Sequence, residues 1–108
     1  MEYQVRISRL RPGTAAPFLE AWLAGVYPLR KRFGFSFHGV WLAGDRQTFI
    51  WVLGYDGPGS FEDADAAYYA SAERAALDPD PAQYIEASEH HMAHPVLSPA
   101  TTDAHPGG

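Results

Sequence analysis

At 108 residues, 46% of them hydrophobic and 14% aromatic, the chain suffices for one domain with its own core and is too apolar to be disordered. A net charge of −5 argues against the basic face that nucleic acid requires, and the lack of Cys excludes disulfides, zinc–thiolate centres and thiol nucleophiles. No apolar run approaches the ~20 residues of a membrane span and the first residues do not resemble a signal peptide, so a cytoplasmic protein is expected.

Tyr3, Val5 and Ile7 alternate with Gln4, Arg6 and Ser8, which predicts a first strand from about Glu2 to Leu10. Arg11-Pro12-Gly13 is a turn, and Thr14 is placed to cap a helix that carries Pro17 in its first turn. Phe18, Trp22, Val26, Leu29 and Phe33 recur at helical spacing as a buried stripe. Pro28 interrupts that helix and should kink it near Ala24 or end it early. The basic run Arg30-Lys31-Arg32 is read as last-turn cations matched to the helix dipole, with Gly34 closing the helix.

Two β-rich runs, Phe35 to Leu42 and Phe49 to Tyr55, flank a Gly44-Asp45 turn and read as a hairpin. Phe35, Phe37, Trp41, Ile50 and Val52 are assigned to one face, and Val40, Leu42, Phe49, Trp51 and Leu53 to the other. Apolar residues on both faces mean that both are covered. So short a chain has helices for one side only. The other side is expected to meet a second copy, making a homodimer.

Ser60 with Asp63 resembles a capping box, and Glu62, Asp63 and Asp65 load the positive end of a second helix whose inward stripe is Phe61, Ala64, Tyr68 and Ala72. Asp78-Pro-Asp-Pro81 breaks the chain, and Asp80 with Pro81 can start a short helix carrying Tyr84 and Ile85. Glu89 to Leu97 reads as a last strand. From Ser98 on the sequence is small, polar and rich in Pro and Gly, so the domain is set at residues 1–99 with 100–108 as a loose tail. The order βαββαβ is the α+β, ferredoxin-like motif with an antiparallel sheet.

Phe33-Gly-Phe, then Gly39-x-Trp41, then Phe49-x-Trp-x-x-x-Tyr55, then Phe61-x-x-Ala-Asp-x-x-Tyr-Tyr-x-Ser-x-x-Arg74 resemble the NIPSNAP family over roughly Glu2 to Pro99. The resemblance implies the dimeric α/β-barrel superfamily. Relatives there include cofactor-free monooxygenases, polyketide cyclases, lactone isomerases and haem enzymes. The family pattern includes Arg74, which can anchor a carboxylate or enolate, cap its helix, or pair with a neighbouring acid.

Of the five histidines, His90 and His94 would share a face on a helix but stand about 13 Å apart on a strand, and Pro95 favours the extended form. No metal site is expected from them, and His90, His91 and His94 are read as interface or surface residues. If the hairpin loop is even-numbered, His38 shares a face with Trp51, Leu53 and Tyr55, where burial would tune its pKa; a one-residue bulge would reverse that face. Tyr68 is assigned to the buried stripe, and Tyr69 lies within reach of Asp65, four residues earlier.

A strand order 4-1-3-2 would put His38 and His90 at opposite edges, so the expected catalytic set is His38 as proton acceptor, Arg74 as anion stabiliser and Tyr69 beside it. Trp41, Phe49, Trp51, Tyr55 and Tyr68 complete the expected substrate wall. The leading function is a cofactor-free tailoring enzyme of bacterial secondary metabolism, a monooxygenase or a cyclase/isomerase. It would act on an aromatic or polyketide-like substrate through an enolate or phenolate. The alternatives are a non-catalytic binding or scaffold protein, and a haem protein, which a Soret band would reveal.

Overall fold

The computed structural model describes residues 1–97. Strand β1 (Glu2–Leu10) leads to helix α1 (Ala15–Ala21), a π-helical turn (Trp22–Val26) and helix α2 (Tyr27–Arg32). Strands β2 (Phe35–Leu42) and β3 (Thr48–Tyr55) form the hairpin. Helices α3 (Phe61–Ala70) and α4 (Ala72–Ala75), a 3₁₀ turn (Pro81–Tyr84) and strand β4 (Ile85–Ala93) complete the order. All neighbouring strands are antiparallel, in the order β2-β3-β1-β4. This is the expected α+β, ferredoxin-like arrangement, with β2 and β4 at the edges.

Pro28 acts as anticipated but through a π turn rather than a sharp kink. It has no N–H to donate and its ring crowds the carbonyl four residues back. The ladder widens there, and the Tyr27 N–H bonds to the Trp22 carbonyl, five residues earlier. The stripe of Phe18, Trp22, Val26 and Leu29 stays buried through the irregularity. Several details differ from expectation. Thr14 makes no cap, because its hydroxyl donates to the Arg11 carbonyl at 2.7 Å. Ser60 does cap α3, accepting from the Asp63 N–H at 3.0 Å. Ser71 breaks that helix and caps α4, which leaves Ala72 exposed. Ile85 opens β4 instead of ending a helix, and β4 stops at Ala93, so His94 lies beyond the strand. The expected tail, 100–108, lies outside the described residues.

The hairpin faces need correction. Phe35 and Phe37 pair with Tyr55 and Leu53, whereas Val40 and Leu42 pair with Trp51 and Phe49. The register slips by one residue between Phe37 and Val40, a β-bulge at His38–Gly39. Each side chain before the bulge therefore lies on the face opposite to that implied by unbroken alternation. Phe35, Phe37, Val40, Leu42, Phe49, Trp51 and Leu53 all face the helices, and Trp41, Ile50 and Val52 face away.

Gly39 makes the bulge possible. Its φ is +153°, and a Cβ there would overlap the indole of Trp41, which folds back across it. Gly39→Ala is expected to cost about 2 kcal/mol. Urea unfolding should show it as a lower midpoint with an unchanged slope. An unchanged midpoint would mean that the bulge tolerates a side chain.

Strand β1 is inverted relative to a usual amphipathic strand. Gln4, Arg6, Ser8 and Leu10 point to the helices, while Tyr3, Val5 and Ile7 point to the open face, where Val5 and Ile7 are register partners of Val52 and Ile50. A central strand with its polar set turned inward needs partners for it. Those partners build the site.

Candidate functional site

The helix side of the sheet holds a cavity of about 240 Å³ between β1, β4 and the helices. Trp22 and Val26, from the π turn, and Trp51, from β3, supply apolar walls, and Arg6, Tyr68, Tyr69 and Arg74 supply polar ones. Ser8, Ser88 and His90 close the side toward β4. Trp22 stands edge-on to Trp51 with ring centres 5.2 Å apart, which fixes both indoles.

Arg30 organises the polar wall from below. It stands in the last turn of α2 with Lys31 and Arg32, as expected, but it is fully buried, so its charge serves more than the helix dipole. Its Nη1 donates to Asp65 Oδ1 at 2.7 Å, and its guanidinium lies 3.8 Å from the centre of the Tyr68 ring and 4.7 Å from that of Phe35. The other Asp65 oxygen lies 3.8 Å from Arg6. Asp65 is thus the shared counterion of two arginines rather than a helix-start charge or a partner for Tyr69. Tyr69 instead accepts a hydrogen bond from Arg6 Nη2 at 2.9 Å, and Arg6 also donates to Gln4.

At the rim, Arg74 donates to Asp80 at 3.1 Å, while Asp80 also accepts from the Ala82 N–H and so caps the 3₁₀ turn. Burial works to raise the Asp80 carboxyl, but the bond from Arg74 and that from the Ala82 N–H outweigh it and hold the group below its ordinary value. Burial likewise works against the charge of Arg74, and the bond to Asp80 overcomes it. Desolvation pushes the Tyr68 phenol up against the pull of Arg30 and Arg74, so it stays protonated at neutral pH as a donor. Its hydroxyl is buried and finds no acceptor among the described residues.

Of the expected site residues, Trp51, Tyr68, Tyr69 and Arg74 come together here. Phe49 and Tyr55 face the same side but are packed in the core, and the Tyr55 hydroxyl donates to the Pro58 carbonyl at 2.9 Å. Trp41, the register partner of Ile50, lies on the open face as its alternation implies, and the bulge turns His38 to that face as well. His38 bonds to Ser36 Oγ at 2.8 Å, packs edge-on to Tyr3 at 5.0 Å, and lines a separate hollow with Val52 and His94. The sheet separates it from Arg74, so the two cannot act on one atom. Arg6, Arg30 and His90 were missed. Arg6 was findable, because the polar residues of a central strand have no solvent to face. His90 is the register partner of Arg6 and thus shares its face, while His91 turns to the other side and bonds to Glu89 at 2.7 Å. Among the described residues no three His, Asp or Glu side chains gather as metal ligands, and no helix is long and apolar enough to cross a membrane.

The sequence model of the NIPSNAP family matches residues 3–99. The chain belongs to the NIPSNAP family. A NIPSNAP domain protein from Burkholderia xenovorans is similar in structure, with TM-score 0.75 and 17% identity over 89% of this chain and 95% of that one. A NIPSNAP family protein from Agrobacterium tumefaciens has TM-score 0.77 and 18% identity over 88% and 87% of the two chains. A putative antibiotic biosynthesis monooxygenase from Nitrosomonas europaea follows the same fold, with TM-score 0.66 and 13% identity over 90% of this chain and all (100%) of that one. No curated protein matches the chain. At these identities the likeness extends to the fold alone.

Proposed function

We propose that this NIPSNAP protein is a small-molecule enzyme, a cofactor-free tailoring catalyst that stabilises an enolate or phenolate of an aromatic or polyketide-like substrate. The observation that supports this is the cavity itself. Flat indole walls meet two phenols and two guanidinium groups whose side chains are only 15% and 13% exposed. In such a place, fixed donors aimed at developing negative charge act far more strongly than in water. Arg6, with Tyr69 bonded to it, and Arg74 receive the oxyanion, and the Tyr68 hydroxyl donates to it. His90 is the imidazole on the cavity wall and takes the role of proton acceptor. A carbanion formed there either reduces oxygen, as a monooxygenase requires, or rearranges without it, as in a cyclase or isomerase.

The test is turnover of aromatic polyketide fragments with and without oxygen. Arg74→Ala should lower kcat/KM at least tenfold, because it removes a charge-assisted contact to the developing anion, and His38→Ala should leave it within twofold. Loss of activity in His38→Ala with Arg74→Ala unaffected would move the chemistry to the other face of the sheet.

We also propose that the open face pairs with a second copy. Tyr3, Val5, Ile7, Ile50 and Val52 form its apolar centre, and Trp41 at its edge is 54% exposed.

A further inference from the structure

Building on that reading of the cavity, we propose that its substrate is a planar aromatic acid of one or two rings, bound as a monoanion with its carboxylate against Arg6 and Arg74. The charges carry this. Arg6, Arg30 and Arg74 are opposed by Asp65 and Asp80, leaving one cation in excess. Glu89 does not redress the balance, because its carboxylate is turned through the sheet to His91.

The excess charge sits where water reaches poorly. The side chains of Arg6, Arg30 and Arg74 are 15%, 0% and 13% exposed. A neutral ligand would shut that charge in without compensation, whereas an anion completes it. Hydrogen-bond demand agrees. The Tyr68 hydroxyl, which lines the cavity, is a buried donor without an acceptor among the described residues. The enolate or phenolate of the reaction is a transient charge. The uncompensated guanidinium is present before any reaction, and this assigns a permanent negative group to the ligand.

Size and shape set the rest. Trp22 and Trp51 present flat walls, and about 240 Å³ falls just below the usual ~300–1,000 Å³ of small-molecule sites. That space suits one or two fused rings and excludes larger polycycles.

The experiment compares 2-naphthoate with its neutral isostere 2-acetylnaphthalene and the cation 2-naphthylmethylammonium, by titration calorimetry and quenching of tryptophan fluorescence on the full chain. The naphthoate should bind at least tenfold more tightly than the neutral ketone, weaken as salt rises, and outbind the cation by more. Arg6→Met and Arg74→Met should each collapse the gap between anion and ketone, and Arg6→Lys should keep part of it. Tyr68→Phe should weaken the anion severalfold and leave the ketone unchanged. Circular dichroism verifies that each variant is folded, and Arg74→Met, at the rim, serves if Arg6→Met is not. Equal or tighter binding of the ketone, a gap that survives both arginine variants, or no naphthoate binding at millimolar concentration overturns the proposal. The catalytic reading fails separately. Naphthoate binding with the expected gap but no turnover of any aromatic acid removes the enzyme and leaves the anion site. Turnover of neutral substrates without an anion preference does the reverse.

Discussion

Asp65→Asn is expected to destabilise the protein by about 3 kcal/mol, the lower end of what removing one partner of a buried ion pair costs. The reason is Arg30. Its guanidinium has no exposure, and among the described residues Asp65 is its one anionic contact, at 2.7 Å. Asparagine keeps the shape and one acceptor but not the charge, so the buried cation would rest on the faces of the rings around it, Tyr68 and Phe35 nearest and then Tyr69 and Trp51. Those faces contribute about 2 kcal/mol when desolvated, too little to offset the loss. Asp65 is itself 23% exposed, and that access to water limits the loss. For a domain of this size the change should lower Tm by roughly 12 °C or more. Arg30→Met combined with Asp65→Leu should recover much of the loss, since a buried pair replaced by apolar side chains is often neutral. A fall below about 1 kcal/mol in the single variant would show that the aromatic box, not the carboxylate, compensates Arg30.

Val52→Glu is expected to convert the proposed homodimer into a folded monomer. Val52 and its register partner Val5 occupy the middle of the two central strands on the open face, flanked by Ile7 and Ile50. Four strands at ~4.8 Å and about nine residues at ~3.4 Å make a face near 20 × 30 Å. Two such faces bury on the order of 1,200 Å² before side-chain relief is counted, which reaches the range of specific interfaces. A carboxylate at the centre would have to be desolvated against its own copy, and like charges brought together in an apolar layer repel strongly. Sedimentation equilibrium should therefore give twice the chain mass for the natural sequence and the chain mass for the variant at micromolar concentration. A natural protein that sediments as a monomer there would leave the open face to another partner. A dimeric variant would place the interface elsewhere.

The two variants probe opposite sides of one sheet, and the sequence speaks unequally about them. Local patterns were sufficient for the element order. The period of two in Tyr3 to Ile7, the helical stripe from Phe18 to Leu29, the cap at Ser60 and the interruption at Pro28 all act within a few residues, and each has its expected consequence in the structure. The four strands and their order followed, as did the apolar character of both sheet faces. The aromatic and cationic residues of the hairpin and second helix also marked Trp51, Tyr68, Tyr69 and Arg74 as a group, and these do line one cavity.

What depended on tertiary structure was facing and partnership. One extra residue at His38–Gly39 shifts a register of period two, which moves His38 to the other side of the sheet and brings Phe35 and Phe37 to the helix side. Alternation in sequence carries no information about such a slip until the partner strand is in place. The ion pairs were hidden for a similar reason. Arg30 and Asp65 are 35 residues apart, and Arg6 meets Tyr69 across 63. Taken by itself, each charge fits a helix end or a strand surface. Only the fold, by burying Arg30 and turning the polar side of β1 inward, makes those charges find one another and leaves Arg6 and Arg30 sharing one carboxylate beside an aromatic cavity.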